Sequence, residues 1–207
     1  MTARGREVVA IYADESCLGN GQEGANPGGA GALLEYVRPD GALVRRDLWL
    51  SEPATTNNRM ALQSVIASLT ALGAKGASFD VVFTTDSRYI VDGMTQRVHG
   101  WARRGWTRKG GVIENLALWH RAITAARPHA VQWQWVRGHA GHAQNEYANH
   151  LATRAASEQD ASDGFIESAF DAWAATAGAR HGPPFAPPSR AAFRAHASLP
   201  AVPAART

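Results

Sequence analysis

Cysteine is nearly absent from the sequence: Cys17 is the one cysteine in 207 residues. A single thiol excludes an internal disulfide framework and a cysteine-rich zinc site, and it fits a reducing compartment. No apolar run approaches the roughly 18 residues that a membrane-spanning helix needs, and the first residues lack the apolar core of a signal peptide. We therefore expect a cytoplasmic protein that does not contact a membrane.

The composition is that of a folded protein with an unusual C-terminal part. Hydrophobic residues make up 45% of the chain and charged residues 19%, which excludes disorder throughout. Composition changes near residue 158, and six of the ten prolines follow residue 182. We predict a domain over 1–158, an extra amphipathic helix within 159–180 that packs on this domain rather than on a partner, and a disordered Pro/Ala-rich tail over 181–207.

Positive charge is concentrated in one stretch of the chain. The net charge is only +3, but residues 97–109 contain five basic side chains and no acid, with Trp101 and Trp106 between them. Basic groups beside flat aromatic rings are typical of a nucleic-acid surface. A solvated loop above two core tryptophans has the same composition, so both interpretations stay open at this point.

Hydrophobic patterns predict an α/β fold. Five apolar runs are typical of strands, at 8–13, 30–37, 42–50, 79–84 and 131–136, and helical spacing covers 60–69, 89–94, 113–126 and 143–157. Short turns join the first three strands into an antiparallel meander. The order βββαβααβα predicts a five-stranded mixed sheet flanked by helices.

Two aspartates that follow predicted strands are candidates for metal binding. Asp14 ends the first strand and Asp86 ends the fourth. Carboxylates at the ends of neighbouring strands suit a hard divalent cation, because Mg²⁺ prefers carboxylate oxygens. Each residue also has an ordinary interpretation, since aspartate often caps the helix that follows it.

Six segments of the chain resemble one known family in their order and spacing. They are 11–20 with 27–31, then 55–60, 85–89, 101–106, 135–142 and 145–146. Over residues 6–158 the chain resembles type 1 ribonuclease H. The resemblance implies the ribonuclease H-like fold and an endonuclease that cleaves the RNA strand of RNA/DNA hybrids. It further implies two divalent ions, Mg²⁺ or Mn²⁺ as a substitute, products with 5′-phosphate and 3′-hydroxyl ends, and a monomer that binds the hybrid.

The family's active site has four acids, of which the resemblance matches two. Asp14 and Asp86 occupy the first and third positions, whereas Ala61 stands at the second and Asn149 at the fourth. One interpretation is a catalytically silent module that binds hybrids. The other is a relocated carboxylate, because Glu15 follows Asp14 directly, as in type 2 ribonuclease H.

We favour relocation, with Asp14, Glu15, Asp86 and Asn149 as the catalytic metal ligands. A second charge beside Asp14 is unfavourable unless a cation lies between the two acids. Successive strand residues face opposite sides of a sheet, so we expect a twist or a bulge at Glu15. A third account also stays open, in which Ala61 is an engineered substitution of a natural glutamate and Glu15 is a bystander.

The resemblance also assigns residues around the ligands. His139 matches a family histidine that assists proton transfer or product release, a role that histidine suits near neutral pH. The implied substrate-binding residues form three groups: minor-groove contacts, a pocket for a DNA phosphate, and a basic protrusion. They are Ser16, Asn20, Asn57, Asn58 and Arg88; Thr56 and Arg59; and Arg97, Trp101, Arg103, Arg104 and Trp106. Residues 21–26 lengthen the first hairpin beside this site and either alter access of the hybrid or form a tolerated insertion.

Overall fold

The computed structural model describes residues 6–19, 26–177 and 182–203. No helix in these ranges is both long enough and apolar enough to cross a membrane. The hairpin insertion at 21–26 therefore lies almost wholly outside the described residues, as does Asn20.

One mixed sheet forms the centre of the fold. Its strands are β1 (Val8–Cys17), β2 (Gly28–Val37), β3 (Leu43–Glu52), β4 (Asp80–Thr85), β5 (Ala130–Trp135) and β6 (Ile166–Glu167). They lie in the order β5-β4-β1-β2-β3-β6, with β1 parallel to β4 and β4 parallel to β5. The predicted α/β class is confirmed, but the strand count is six rather than five. The sixth strand has two residues, too few for an alternating pattern in the sequence.

Within the described ranges, six α-helices surround the sheet. They are α1 (Asn57–Leu72), α2 (Arg88–Asp92), α3 (Val98–Arg103), α4 (Leu116–Ala126), α5 (Ala143–Glu158) and α6 (Phe170–Ala177). A π-helical turn, Gly93–Arg97, joins α2 to α3. Helix α4 begins three residues later than the predicted 113, because Asn115 adopts a left-handed conformation with a φ of 56° and ends helical geometry on its N-terminal side.

Alternate residues of β1 face two different cores. Ile11 and Ala13 pack with Ala61 of α1 in the core that α1 and α4 cover. Tyr12 packs on the opposite side of the sheet with Tyr147 of α5. The two faces of β1 therefore belong to two separate helix layers, a distinction that matters where the strand ends.

Helix α5 lies unusually close to β2 because glycines face it. A Cβ atom at Gly29 would lie 2.1 Å from the carbonyl oxygen of Ala152, and one at Gly31 would lie 2.3 Å from that of Ala148. Only a residue without a side chain allows two backbones to approach this closely. The packing sets the position of α5 against the sheet.

A buried carboxylate attaches the region after α5 to the sheet. Asp47 of β3 accepts hydrogen bonds from the Tyr147 hydroxyl at 2.5 Å, the Ser168 hydroxyl at 2.6 Å and the Ala169 N–H at 3.0 Å. Helix α6 lies within the range 159–180 for which the sequence predicts an amphipathic helix, and its Phe170 is buried against Tyr147.

The segment 182–203 lies against the sheet as an extended chain, whereas the sequence predicts disorder from residue 181. The N–H of His196 donates to the Val131 carbonyl at 2.9 Å, and the Trp133 N–H donates to His196 Nδ1 at 3.1 Å. Arg190 pairs with Asp80. The two hydrogen bonds of His196 satisfy backbone groups of β5, which is an edge strand. Composition describes only the segment itself and gives no information on the strand it pairs with.

Replacing Gly29 with alanine should destabilise the fold. The added Cβ meets backbone atoms of α5, and overpacking of this kind costs about 1–3 kcal/mol in the free energy of unfolding. Gly100→Ala is the matched control, because a Cβ there meets only the flexible Arg104 side chain, at 3.4 Å. Urea denaturation of both variants tests the prediction, and equal stability of the two would contradict it.

Candidate active site

Three carboxylates meet where the pairing between β1 and β4 ends. These parallel strands pair from Val8 with Asp80 up to Ala13 with Thr85. Asp14, Glu15 and Asp86 follow the last pair directly. Each of the three offers one carboxylate oxygen such that all three atoms lie within 4.8 Å of one another. The two aspartates predicted from the sequence are thus neighbours, and Glu15 joins them. β4 ends before Asp86 as predicted, whereas β1 continues past Asp14 to Cys17, so the prediction that Asp14 ends its strand is wrong.

Glu15 reaches the cluster without a bulge. The β1–β2 ladder pairs every residue from Ala10 with Glu35 to Cys17 with Gly28, and Glu15 pairs with Ala30 within it. The predicted bulge at Glu15 is therefore wrong. Glu15 follows the alternation of Ile11 and Ala13, which places it on the α1 side of the sheet.

The same alternation explains how Glu15 and Asp14 share one site. Asp14 lies on the α5 side, and the amide Nδ2 of Asn145 donates to its Oδ2 at 3.1 Å. The N–H of Glu15 donates to the other oxygen, Oδ1, at 2.7 Å. β4 ends at Thr85 and no longer flanks β1 beyond that point, so side chains from both faces of β1 converge on Asp86.

Burial opposes the ionisation of all three acids, and repulsion from neighbouring acids in the cluster adds to it for Asp14 and Glu15. Burial, followed by the charge of Asp86, raises the pKa of Asp14 to about 8. Burial, then Asp14, then Asp86 raise the pKa of Glu15 well above its usual range, although a hydrogen bond with Ser87 lowers it. Burial also raises the pKa of Asp86, against the lowering effects of a backbone hydrogen bond and of His139. The cluster favours a bound proton or a bound cation.

The donor set fits a hard divalent cation. Carboxylate oxygens are the ligands that Mg²⁺ and Mn²⁺ prefer. Oδ1 of Asn145 is buried and has no hydrogen-bond partner among the described residues, so a further polar atom lies unused beside Asp14. Asn149 lies half-buried one helical turn after Asn145 on α5. Its amide oxygen is a neutral donor of the same hard type, and its place in the ligand set stays a prediction.

The predicted histidine lies on a short loop between β5 and α5. The side chain of His139 is 76% exposed, and its Nδ1 is 3.6 Å from Oε2 of Glu146. Its φ of 52° is left-handed, which is uncommon outside glycine. The neighbouring Gly138 packs against the cluster, since a Cβ there would lie 2.1 Å from Oδ2 of Asp86. The loop therefore holds His139 beside the acids while leaving its ring accessible.

The predicted phosphate-pocket and minor-groove residues lie around α1, β1 and α2. Thr56 caps α1, and its hydroxyl accepts from the Arg59 N–H at 3.4 Å. Arg59 lies 3.7 Å from Glu52. Oδ1 of Asn57 is buried with no partner in the described part of the chain, while Asn58 is exposed and Ser16 is half-buried at the end of β1.

Arg88 is exposed and stacks on an aromatic ring. Its guanidinium carbon lies 3.8 Å above the centroid of Trp135. The indole Nε1 of Trp135 donates to the Asp86 carbonyl at 2.9 Å. Trp135 thus links the predicted minor-groove cation to the backbone of the carboxylate cluster.

The basic protrusion has features of both predicted alternatives, a nucleic-acid surface and a solvated loop above packed tryptophans. Arg97, Arg103 and Arg104 are exposed. Trp101 packs edge-on against Trp119 of α4 with centroids 5.5 Å apart, and Trp106 packs on His120 at 4.4 Å. The cations are available to a ligand, whereas the tryptophans are largely engaged with α4.

Sequence reasoning missed several residues that surround the acids. Asn145 and Ser87 contact the carboxylates, and Gly138 makes room for Asp86. Asn145 carried a usable signal, because it precedes Asn149 by four residues on a predicted helix and so shares its face. Ser87 and Gly138 carried none beyond their places in the matched segments.

The family model described as RNase H matches residues 6–157. The chain is 43% identical to the Ribonuclease H of Pectobacterium carotovorum subsp. carotovorum over 152 residues, which cover 73% of this chain and 91% of the relative. It is 44% identical to the Ribonuclease H of Nitrobacter hamburgensis over 145 residues, covering 70% and 88%.

One solved structure is similar over the full length. The crystal structure of LC9-RNase H1, described as a type 1 RNase H with the type 2 active-site motif, superposes with a TM-score of 0.93. The two sequences are 61% identical, and the match covers 100% of both chains. The similarity thus includes the region beyond residue 157.

Replacing Asp14 with asparagine should stabilise the metal-free protein at alkaline pH. A carboxyl whose pKa rises on folding, here from 3.8 to about 8, contributes stability below the unfolded value that is lost as pH rises through the folded value. Asparagine has no proton to lose, and each pKa unit corresponds to about 1.4 kcal/mol. The free energy of unfolding of Asp14→Asn should therefore exceed that of the unaltered chain. The difference should be small near pH 4, grow as pH rises, and level off above about pH 8.

Chemical denaturation with a chelator present measures this difference. Asp40→Asn is the control, because Asp40 is exposed in the β2–β3 turn, where it lies 3.5 Å from Arg38 and its Oδ1 accepts from the Ala42 N–H at 3.0 Å, a bond that asparagine can keep. A stability difference for Asp14→Asn that does not grow with pH would show that the acids are not crowded as described.

Proposed function

The chain belongs to the ribonuclease H family, and we propose that it cleaves the RNA strand of RNA/DNA hybrids at a site formed by Asp14, Glu15, Asp86 and Asn149. Membership makes the chain a divalent-metal-dependent hydrolase of RNA/DNA hybrids. The proposal adds the identity of the ligands, Mg²⁺ as the preferred ion, two ions per site, and products with 5′-phosphate and 3′-hydroxyl ends.

The observation that carries the proposal is the convergence of Glu15 with both aspartates. Ala61 packs in the core beneath the α1 side of the sheet, and Glu15 projects from β1 on that same side. A carboxylate at Glu15 therefore approaches the aspartates from the side on which α1 would supply one at position 61. The similarity to LC9-RNase H1, a protein with the type 2 motif, supports this assignment.

The reaction follows from these positions. Divalent ions held by Asp14, Glu15, Asp86 and Asn149 would supply an activated water and stabilise the charge that develops on the phosphate. Asn145 and the Glu15 N–H hold Asp14 in one orientation through its two oxygens. His139, exposed beside Asp86, exchanges a proton with the leaving 3′-oxygen or assists its release.

Substrate binding uses neutral groups for the RNA and cations for the DNA. Ser16, Asn57 and Asn58 lie near β1 and α1 and offer hydrogen-bonding groups to the 2′-hydroxyls of the minor groove. Arg88 adds a cation stacked on Trp135. Thr56 and Arg59 bind a phosphate of the DNA strand, and the exposed arginines of the protrusion bind the same strand further on. Asn20 completes the minor-groove set from outside the described residues.

A hybrid-binding module without catalysis is the second candidate. Ala61 and Asn149 each replace an acid of the family's four, so the site has one negative charge fewer than the family's if Glu15 joins it and two fewer if it does not. Hydrolysis by the purified chain separates the two functions.

Glu15→Gln should abolish cleavage while leaving hybrid binding intact. The substitution keeps the shape of the side chain and removes a charge from the ligand set, and even partners of metal ligands typically cost 10–100-fold when mutated, so we expect a loss of at least about 100-fold in kcat. Cleavage of a labelled RNA/DNA hybrid with Mg²⁺ or Mn²⁺ measures it, and binding is measured with a chelator.

Glu167→Gln is the matched control, since Glu167 is exposed on β6 at the far edge of the sheet. Full activity of Glu15→Gln would make Glu15 a bystander. No activity in any variant, with salt-sensitive binding retained, would leave the hybrid-binding module.

Arg103→Ala should weaken hybrid binding in a salt-dependent manner. If Arg103 contacts a phosphate, its loss reduces the slope of log K against log salt by about 1. Arg38→Ala is the control, because Arg38 is exposed in the β2–β3 turn beside Asp40. Binding isotherms at several salt concentrations measure both slopes, and an unchanged slope for Arg103→Ala would exclude this contact.

A further inference from the structure

The chain beyond the RNase H match returns to the loop that carries His139. The match ends at residue 157, yet the N–H of Gly182 donates to the Gly141 carbonyl at 2.8 Å. Three residues later the ring of Phe185 stacks on the ring of His142, with centroids 4.6 Å apart and an angle of 28° between the planes. A segment outside the family's domain thus touches two residues of the histidine loop.

A buried glutamine fixes Phe185 in this position. The Phe185 N–H donates to Oε1 of Gln144 at 3.0 Å, and Nε2 of Gln144 donates back to the Phe185 carbonyl at 3.0 Å. Gln144 is fully buried at the start of α5, and its Nε2 also lies 3.3 Å from Oε2 of Glu35. The two reciprocal bonds reproduce the pairing of a β-bridge with a side-chain amide, so the backbone of Phe185 has one register against α5.

The rest of the segment prevents Phe185 from moving along the sheet. Phe185 and Phe193 line a cavity of about 220 Å³ against Tyr12, on the part of the sheet that α5 leaves uncovered. Further along, His196 pairs with β5 through Val131 and Trp133. The segment is therefore anchored on both sides of the cavity.

Apart from the segment 182–185, the histidine loop (138–142) contacts the domain at its two ends and through His139. At one end Gly138 packs against Asp86, and at the other end His142 precedes the first turn of α5. Between these ends His139 has a left-handed backbone, and its ring contacts Glu146 at 3.6 Å. Gly141 and His142 are the loop residues that the segment holds.

We propose that residues 182–185 act as a clamp on the histidine loop, with Phe185 and Gln144 as positioning residues for His139. The clamp rests on the proposed function, because it matters for catalysis only if His139 assists cleavage. Phe185 contacts His142 rather than substrate, so its effect is transmitted through the loop. The clamp limits the positions that the exposed imidazole samples beside the cluster.

Phe185→Ala removes the stacked ring without opening the domain core, because Phe185 is 40% exposed. We expect kcat to fall about three- to tenfold with KM unchanged, a fraction of the roughly 100-fold or larger contribution of positioned proton transfer. Phe193→Ala is the matched control: it removes a ring from the same segment and cavity but leaves the loop contacts. Phe185→Tyr keeps the stacked ring and should restore kcat.

Two measurements separate positioning from stabilisation. In a His139→Ala background the further change Phe185→Ala should leave kcat unaltered, because the group that it positions is gone. Amide hydrogen exchange of residues 138–142 should accelerate in Phe185→Ala and not in Phe193→Ala. The exchange measurement needs no activity, so it tests the clamp even if the chain does not cleave hybrids.

Either of two results overturns the clamp. One is equal exchange of the loop in Phe185→Ala and Phe193→Ala. The other is a loss of kcat on Phe185→Ala that persists undiminished in the His139→Ala background. Absence of cleavage in the unaltered chain, with loop exchange still dependent on Phe185, would refute the proposed function and leave the clamp as a structural feature.

Discussion

Repulsion among three carboxylates is the interaction on which the arrangement of this site depends. Asp14, Glu15 and Asp86 come together where burial raises the pKa of each, and the charge of Asp86 further raises the pKa of Asp14 and of Glu15. An unsupported cluster would separate by rotating its side chains. Hydrogen bonds from Asn145 and from the Glu15 N–H prevent this for Asp14. The rigid sheet thus holds the three carboxylates together although their proximity is unfavourable. A cation that binds between them offsets the free-energy cost of their repulsion.

The position of α5 connects this cluster to ordinary packing. Gly29 and Gly31 allow the helix to touch β2, and the same helix carries Asn145 and Asn149. Any side chain on those glycines would move the helix outward together with its two asparagines. The precision of the acidic site therefore depends on a contact made by backbone atoms alone.

Much of this arrangement was predictable from local sequence, and the exceptions have physical causes. The apolar strand patterns identified Asp14 and Asp86, because both residues follow the last pair of the parallel β1–β4 ladder, although β1 itself continues to Cys17. Alternation places Glu15 on the opposite face of β1 from Asp14, and the structure agrees. Alternation alone does not indicate that the two faces meet beside Asp86, so a bulge is predicted where none is needed. The contacts of the C-terminal segment are not predictable from its composition, because partners such as Gln144, 41 residues from Phe185, leave no trace in a proline-rich sequence.

The segment that pairs with β5 also has a consequence for biosynthesis. A ribosome produces residues 182–203 only after every strand of the sheet has been made. During that interval β5 is an edge strand with unpaired backbone groups, and such edges invite pairing with other chains. The nascent protein is therefore most prone to aggregate in the short period between completion of the sheet and arrival of the segment that covers it.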